Sequence, residues 1–257
     1  NILLSSKHQF NKKLELKTAI SPSLALNKEP DLRQTIYVIS DAGEYTLAYG
    51  EGALVNRAYR NLEEINLNAK ADLKWDFNQW SEMKSTLKTG VNYVFKERSF
   101  DVVEYNFRNI GQPKYSGNPD QLFTSEYLFS AANSPVTGEG IYAIGQVDSS
   151  NIYVAGQTVL AGYIMNELPI DSSFKVIYGA RVEKAEMKYT GQRQTVIDPN
   201  EDVYKDRVVL DELDFLPAVS LVYAVAKDIN IRGNFSRTLA RPSFKEKSGA
   251  QIYDAVT

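Results

Sequence analysis

The side chains of this chain that can do chemistry are carboxylates and arginines. There is no cysteine, and His8 is the single histidine. Disulfides, thiolate metal sites and cysteine nucleophiles are therefore excluded. Zinc has no ligand set here, and a Ser-His-Asp arrangement would have to use His8, at the edge of the first expected strand. The densest group of oxygens is Asp198, Asn200, Asp202, Tyr204 and Asp206, followed by Asp211, Glu212 and Asp214. Alternate oxygen ligands are how a calcium loop is built. Here, however, its sixth position is Val203 in place of glycine and its twelfth is Val209 in place of glutamate. A solvated acidic loop is the simpler reading. Gly138-x-Gly140 lacks the third glycine of a dinucleotide fingerprint, and no Gly-Lys-Ser/Thr phosphate loop exists. Any Asp and Glu that meet in space can form a glycosidase pair, but no spacing argues for one. No cofactor is expected.

Arg181, Glu183, Arg232, Arg237, Arg241 and Glu246 are the second group. They can contact an anionic ligand, or they can form ion pairs that orient strands in a polar interior; the second use is the commoner. Arg57, Arg60 and Glu64 invite the same two readings. The third group is aromatic: Tyr105, Phe107, Tyr115, Phe123, Tyr127, Phe129, Tyr142 and Tyr153. Of these, Tyr115, Phe123, Tyr127 and Tyr142 are candidates for stacking on a ligand from a loop. The alternative is that such rings anchor the loop or mark a membrane interface.

The elements that must hold these groups are long alternating strands. From Ile65 to Trp75 the odd positions read Ile, Leu, Ala, Ala, Leu, Trp, while the even positions are Asn, Lys and Asp. After Asn78-Gln79-Trp80-Ser81, Met83, Leu87, Val91, Tyr93 and Phe95 share one face, and Lys84, Thr86, Lys88, Asn92 and Lys96 dominate the other. Side chains alternate across a strand, so each run has one apolar and one wetted face. Each continues for ten or more residues, against about five or six in soluble strands and about 9–11 for a tilted strand crossing a bilayer.

The same reading places a first strand over about 8–20, ended by Ser21-Pro22, with Leu14, Leu16 and Ile20 on one face. A hairpin follows at 34–39 and 44–49 around Asp41-Ala42-Gly43, then strands at about 58–76 and 83–107. Further strands lie at about 152–168 (Val159, Ala161, Tyr163 and Met165 on the apolar face) and 173–190 (Phe174, Val176, Tyr178, Ala180 and Val182). The last two run over about 213–226 (Val219, Leu221, Tyr223 and Val225) and 229–241 (Ile229, Ile231 and Phe235). Turns near 78–82, 169–172 and 226–228 are short; the connections 22–57, 108–151 and 191–212 are long. In an up-and-down meander all short turns then fall at one end. Short turns at one end and long loops at the other are what transmembrane barrels have, and a β-sandwich has no reason to sort them.

The 257 residues suffice for one large β domain. With 43% hydrophobic and 24% charged residues the chain is not disordered, and no run approaches the roughly 18 apolar residues of a membrane helix. The net charge is −3, without a basic stripe, so no nucleic-acid partner is expected. The opening Asn1-Ile2-Leu3-Leu4-Ser5-Ser6 is not a signal peptide; on a barrel reading the chain begins inside a longer precursor.

Five segments resemble TonB-dependent outer-membrane receptors of the Bacteroidetes-like type. Asn27 to Gln34 (NKEPDLRQ) resembles N-x-x-P-D-x-R-Q, and Arg57 to Glu64 (RAYRNLEE) resembles R-x-x-R-x-L-x-E opening a strand. Lys96 to Phe100 (KERSF) is similar to K-x-R-x-F, and Gly179 to Glu183 (GARVE) to G-x-R-x-E. Ser236 to Glu246 (SRTLARPSFKE) resembles S-R-T-x-A-R-P-x-F-x-E. The resemblance implies an all-β, antiparallel, up-and-down barrel of 22 strands with an N-terminal plug, of which about seven wall strands are read here. Residues 1–257 would be part of one such barrel domain, without the plug or the remaining strands. It implies no enzyme activity but energy-coupled uptake of a siderophore, oligosaccharide, peptide or cobalamin across a bacterial outer membrane. The implied partners are outer-membrane lipid, an inner-membrane energy-coupling protein, small-molecule or glycan cargo and, in glycan importers, a surface lipoprotein. Arg181, Glu183, Arg232, Arg237, Arg241 and Glu246 would face the lumen or plug. The residues alone leave open a soluble all-β carbohydrate-binding module, which would need strands that break near five or six residues.

Overall fold

The computed structural model describes residues 1–47, 55–80, 82–110, 116–125, 127–128, 140–145, 149–193 and 195–248. Its strands are β1 (Leu4–Asn11), β2 (Leu14–Gln34), β3 (Tyr37–Ile39), β4 (Tyr45–Leu47), β5 (Val55–Asn78), β6 (Lys84–Ile110), β7 (Gly140–Gly145), β8 (Tyr153–Pro169), β9 (Phe174–Gln192), β10 (Val203–Ala226) and β11 (Ile229–Ser236). Two one-turn helices are α1 (Pro199–Asp202) and α2 (Phe244–Lys247). Eight long strands pair antiparallel in the order β1-β2-β5-β6-β8-β9-β10-β11, with β7 added to the upper part of β6. This is the expected up-and-down wall. Among the described residues no second sheet packs on its apolar face; the one other sheet is the small β3–β4 hairpin, paired as expected around Gly43.

Short connections all lie at one end. Asn11 Oδ1 accepts from the backbone N–H of Lys13 (2.8 Å) and Leu14 (3.0 Å), and Asp171 Oδ1 from Ser173 (2.7 Å) and Phe174 (2.8 Å). Such side-chain-closed turns need few residues. The Gln79 amide ties two neighbouring turns together: it donates to the carbonyl of Pro169 and accepts from Ser85 Oγ at 3.0 Å.

Several boundaries differ from those read in the sequence. The first strand is a hairpin, β1–β2, because the Asn11 turn reverses the chain at Lys12-Lys13; the wall thus has eight strands where about seven were read. Pro22 does not end β2, which runs for 21 residues. The Pro22 carbonyl accepts from Ile2 at 3.2 Å, so its missing N–H points to the frayed start of β1. The ladder to β5, where Pro22 faces Leu67, is left whole. β10 begins at Val203, so the acidic connection shrinks to 193–202. β11 ends at Ser236, and the chain after it leaves the sheet.

The faces are sorted as alternation requires. Val91, Tyr178, Leu221, Tyr223, Ile231 and Phe235 all lie on the apolar face, with Val91 57% and Phe235 66% exposed. β8 is the exception. Its expected apolar set pairs with the polar side of β6: Ala161 with Asn92, Tyr163 with Gly90, Met165 with Lys88. Leu160 and Ile164 face outward instead, at 56% and 55% exposure. Tyr163 lies over Gly90, where a Cβ would meet Asp72 Oδ1 at 2.6 Å and the ring at 2.7 Å, and its hydroxyl donates to Asp72 at 2.8 Å.

Candidate functional site

The polar face of the wall carries a band of ion pairs joined by aromatic side chains. On β5 and β6, Glu64 Oε2 takes Arg98 Nη2 at 2.5 Å and Nε at 2.7 Å, and Asn66 Nδ2 donates to Glu64 Oε1 at 2.9 Å. On β9, Glu183 is held by Arg181 at 2.5 Å, two residues away on the same face. Higher on the same face, Tyr153 and Tyr189 stack with centroids 5.6 Å apart, and Tyr153 meets Phe100 at 5.7 Å.

Residues 237–248 form a strap across this band. The strap starts where the Arg237 N–H donates to the Pro217 carbonyl at 3.0 Å. Arg241 then reaches Glu183 Oε2 at 2.5 Å and Asp214 Oδ2 at 3.5 Å. One guanidinium thus joins two strands, and all three side chains are less than a fifth exposed. Phe244 is 3% exposed, among Tyr153, Ala155, Val159, Met187, Tyr189 and Leu210. Arg98 lies 5.5 Å from the centre of its ring, a cation–π contact. Ser243 and Glu246 close α2 as a capping box. The Ser243 backbone N–H, and then its side chain, hold the Glu246 carboxyl below the usual carboxylate range.

The acidic connection is built around Asp202. Its Oδ2 accepts the backbone N–H of Ile197 at 2.9 Å and Asp198 at 3.0 Å, and Oδ1 pairs with Arg193 at 3.1 Å. The Asp198 and Ile197 amides, with Arg193, keep its carboxyl below the ordinary range. Among the described residues no group of three or more acidic or histidine side chains could hold a metal.

Described parts of two long loops, at 37–47 and 119–128, pack against the apolar side of the upper wall. Leu47, Val55, Leu122 and Ile141 form a small core with Tyr37, Tyr45, Phe107 and Tyr127 around it. Val55 pairs with Phe107 in unbroken register with the Ile65 face, so this core stands outside the wall, above the apolar band.

Of the residues singled out in the sequence, Arg181, Glu183 and Arg241 come together. Glu246 turns to its own helix cap. Arg232 lies on the polar face of the edge strand β11, opposite Val222, and makes no ion pair among the described residues. Arg237 holds the strap by its backbone. Arg57 bonds Asp31 at 2.7 Å on the outer face, while Arg60 faces inward toward Glu29 at 3.3 Å. Phe123 stacks edge-on with Phe107 at 5.2 Å, and Tyr127 accepts from Gln121 at 2.6 Å, both in the outer loop core. Tyr142 pairs with Arg108 on the inner face of β7. Tyr115 lies outside the described residues. Sequence reading named Arg98, Asp214 and Phe244 but gave them no part in the site; Phe244 stands inside the Ser236–Glu246 segment already singled out, where its spacing from Arg241 was the available signal.

No curated protein matches this chain. The family described as TonB dependent receptor-like, beta-barrel matches residues 18–255, nearly all of it. That match agrees with the open antiparallel wall, its two sorted faces and its loops divided by length. The chain belongs to the TonB-dependent receptor family of outer-membrane transport receptors, as part of the β-barrel.

Proposed function

We propose that residues 1–257 form one arc of a single barrel domain in a bacterial outer membrane, and that the arc lines the lumen of an energy-coupled importer. The cargo is a scarce nutrient of the siderophore, oligosaccharide, peptide or cobalamin class, and the chain is not an enzyme. One observation carries this: the wall exposes large hydrophobics on one face while its other face holds the Glu64–Arg98 and Glu183–Arg241 pairs. A wall between lipid and water needs that sorting. Its two edges, β1 and β11, expose backbone groups that hydrocarbon cannot satisfy, so further strands complete the ring. Arg181, Glu183, Arg241 and Arg232 then face the lumen or its plug, and Tyr142, on the inner face of β7, meets the cargo. The partners are outer-membrane lipid, an inner-membrane coupling protein, the cargo and, for a glycan, a surface lipoprotein.

The test is fractionation of the native full-length protein with a heat-modifiability gel. Recovery in the outer membrane, with a mobility shift that requires boiling, is expected. Recovery as a detergent-free soluble monomer would overturn the proposal.

A further inference from the structure

Between the strap and the wall lies a hollow of about 350 Å³. Its polar groups include Asn27 and Glu29 from β2, Arg60 from β5, Arg98 and Glu104 from β6, and Lys245 from the strap. Leu62 and Val102 add apolar surface between them. Three of these groups, Glu29, Arg60 and Glu104, hold one another in place. Arg60 lies 3.3 Å from Glu29 and 4.0 Å from Glu104. Glu104 also accepts from Asn56, and Arg98 is fixed by Glu64. Lys245 makes no ion pair among the described residues.

We infer that this hollow binds a saccharide unit that is neutral or carries one acidic group, which rests on reading the polar face as the transport lumen. The chemistry of the lining decides the class. Sugar hydroxyls both donate and accept; they can give to Glu29 and Glu104 and take from Arg60, Asn27 and Lys245. Leu62 and Val102 suit the C–H face of a ring. A polyanionic ligand would meet two carboxylates and only one cation not already paired. The volume falls at the low end for small-molecule sites and holds one or two sugar rings. Glu29, Arg60, Arg98 and Glu104 are already oriented by their own pairs, so only Asn27 and Lys245 have to be ordered on binding.

The experiment uses the full-length receptor in detergent micelles. Its probes are a panel of neutral and uronic-acid-containing oligosaccharides, with a tripeptide mixture and a ferric hydroxamate complex as comparators. Binding of at least one oligosaccharide is expected, weakened about tenfold or more by Asn27→Ala and by Lys245→Ala. Both side chains are exposed, so the heat-dependent gel shift should survive in each variant. Three results would overturn the inference while leaving the transport reading in place: no oligosaccharide bound by a heat-modifiable receptor, binding of the peptides or the ferric complex in its stead, or oligosaccharide binding indifferent to both substitutions. A wild-type receptor with no gel shift would remove the transport reading itself.

Discussion

Replacing Val91 by arginine tests the assignment of the two faces at the middle of the wall. Val91 is 57% exposed on β6, the strand flanked by three long strands on one side and four on the other. Its cross-strand neighbours are Ala71 and Gly162. Both are small, so an arginine meets no steric obstacle and the cost comes from its solvent alone. The apolar run from Ile65 to Trp75 on β5 covers ten residue steps, about 33 Å of strand at 3.3 Å per residue. Tilted by about 45°, it spans about 23 Å, close to the apolar band of an outer-membrane barrel. Val91 is central within the matching Leu87–Phe95 run, where arginine on the lipid face costs about 2–4 kcal/mol. At about 1.4 kcal/mol per tenfold, the folding equilibrium falls by about 30- to 700-fold. Asn92→Arg is the control, one residue on and facing the other way, where it lies beside Lys70 and Ala161. Water reaches that face, so the expected loss is below about 1 kcal/mol. Urea titration of the full-length receptor refolded into lipid vesicles, read by the heat-modifiable band, measures both. Equal stability of the two variants would refute the assignment. Equal, large losses would mean that both faces are dry.

Three further outcomes follow from the geometry. Gly90→Ala places a methyl against Asp72 Oδ1, the Ala71 carbonyl and the Tyr163 ring; displacing Tyr163 breaks its bond to Asp72, so a loss of about 1.5–3 kcal/mol in the same titration is expected, and a neutral result would mean that the ring is not seated there. Phe244→Ala empties a site where the ring is 3% exposed; with about 3–5 kcal/mol of packing removed, the strap should detach while the wall holds, seen as faster tryptic cleavage at Arg237, Lys245 or Lys247 under an unchanged gel shift. Asp202 has its folded carboxyl pKa depressed by the Asp198 and Ile197 amides and Arg193. Its contribution is therefore present above the ordinary aspartate value of about 3.9 and lost as pH falls through the lower folded value. Hydrogen exchange at 197–202 should rise below about pH 4 in the wild type and be high at all pH values in Asp202→Asn. An Asn variant as protected as wild type at neutral pH would count against it.

The wall was legible in the sequence wherever one face of a strand is apolar and the other charged. β5, β9, β10 and β11 declared their faces in this way: Phe174, Val176, Tyr178, Ala180 and Val182 do point outward, opposite Lys175, Arg181 and Glu183. β8 did not, because both of its faces are apolar. Val154, Leu160, Ile164 and Leu168 alternate with Ala155, Val159, Ala161 and Tyr163, so hydropathy alone cannot choose. The register against β6 chooses, and register is a property of two strands together. Pro22 misled for a related reason. A proline ends a strand only if its absent N–H was needed, and that depends on which neighbour lies on which side. At the site, Glu183 and Arg181 were readable as a same-face pair. Arg98 and Asp214 were not, since their partners are 34 and 27 residues away.

The double apolarity of β8 also accounts for where the strap docks. A wetted face lined by Ala155, Val159 and Met187 is a dimple that water covers at a cost. Phe244 fills it, and burying such a ring is worth about 1.5–3 kcal/mol. The exposed polar groups around the dimple then have to be met as the strap comes down. Arg98 caps the ring from one side, and Arg241 lies against Glu183 and Asp214. Removing Arg241 would leave Glu183 its Arg181 partner but Asp214 without an ion-pair partner among the described residues, so the loss should fall short of the about 3–5 kcal/mol of a fully buried broken pair. The apolar knob thus supplies the attraction and the arginine the position. Lys245, one residue after the knob, is carried into the hollow beside Arg60 and Glu104 by that docking. A strap held by Phe244 alone could rotate about its ring; with Arg241 fixed three residues earlier, the backbone at Lys245 has one place to be.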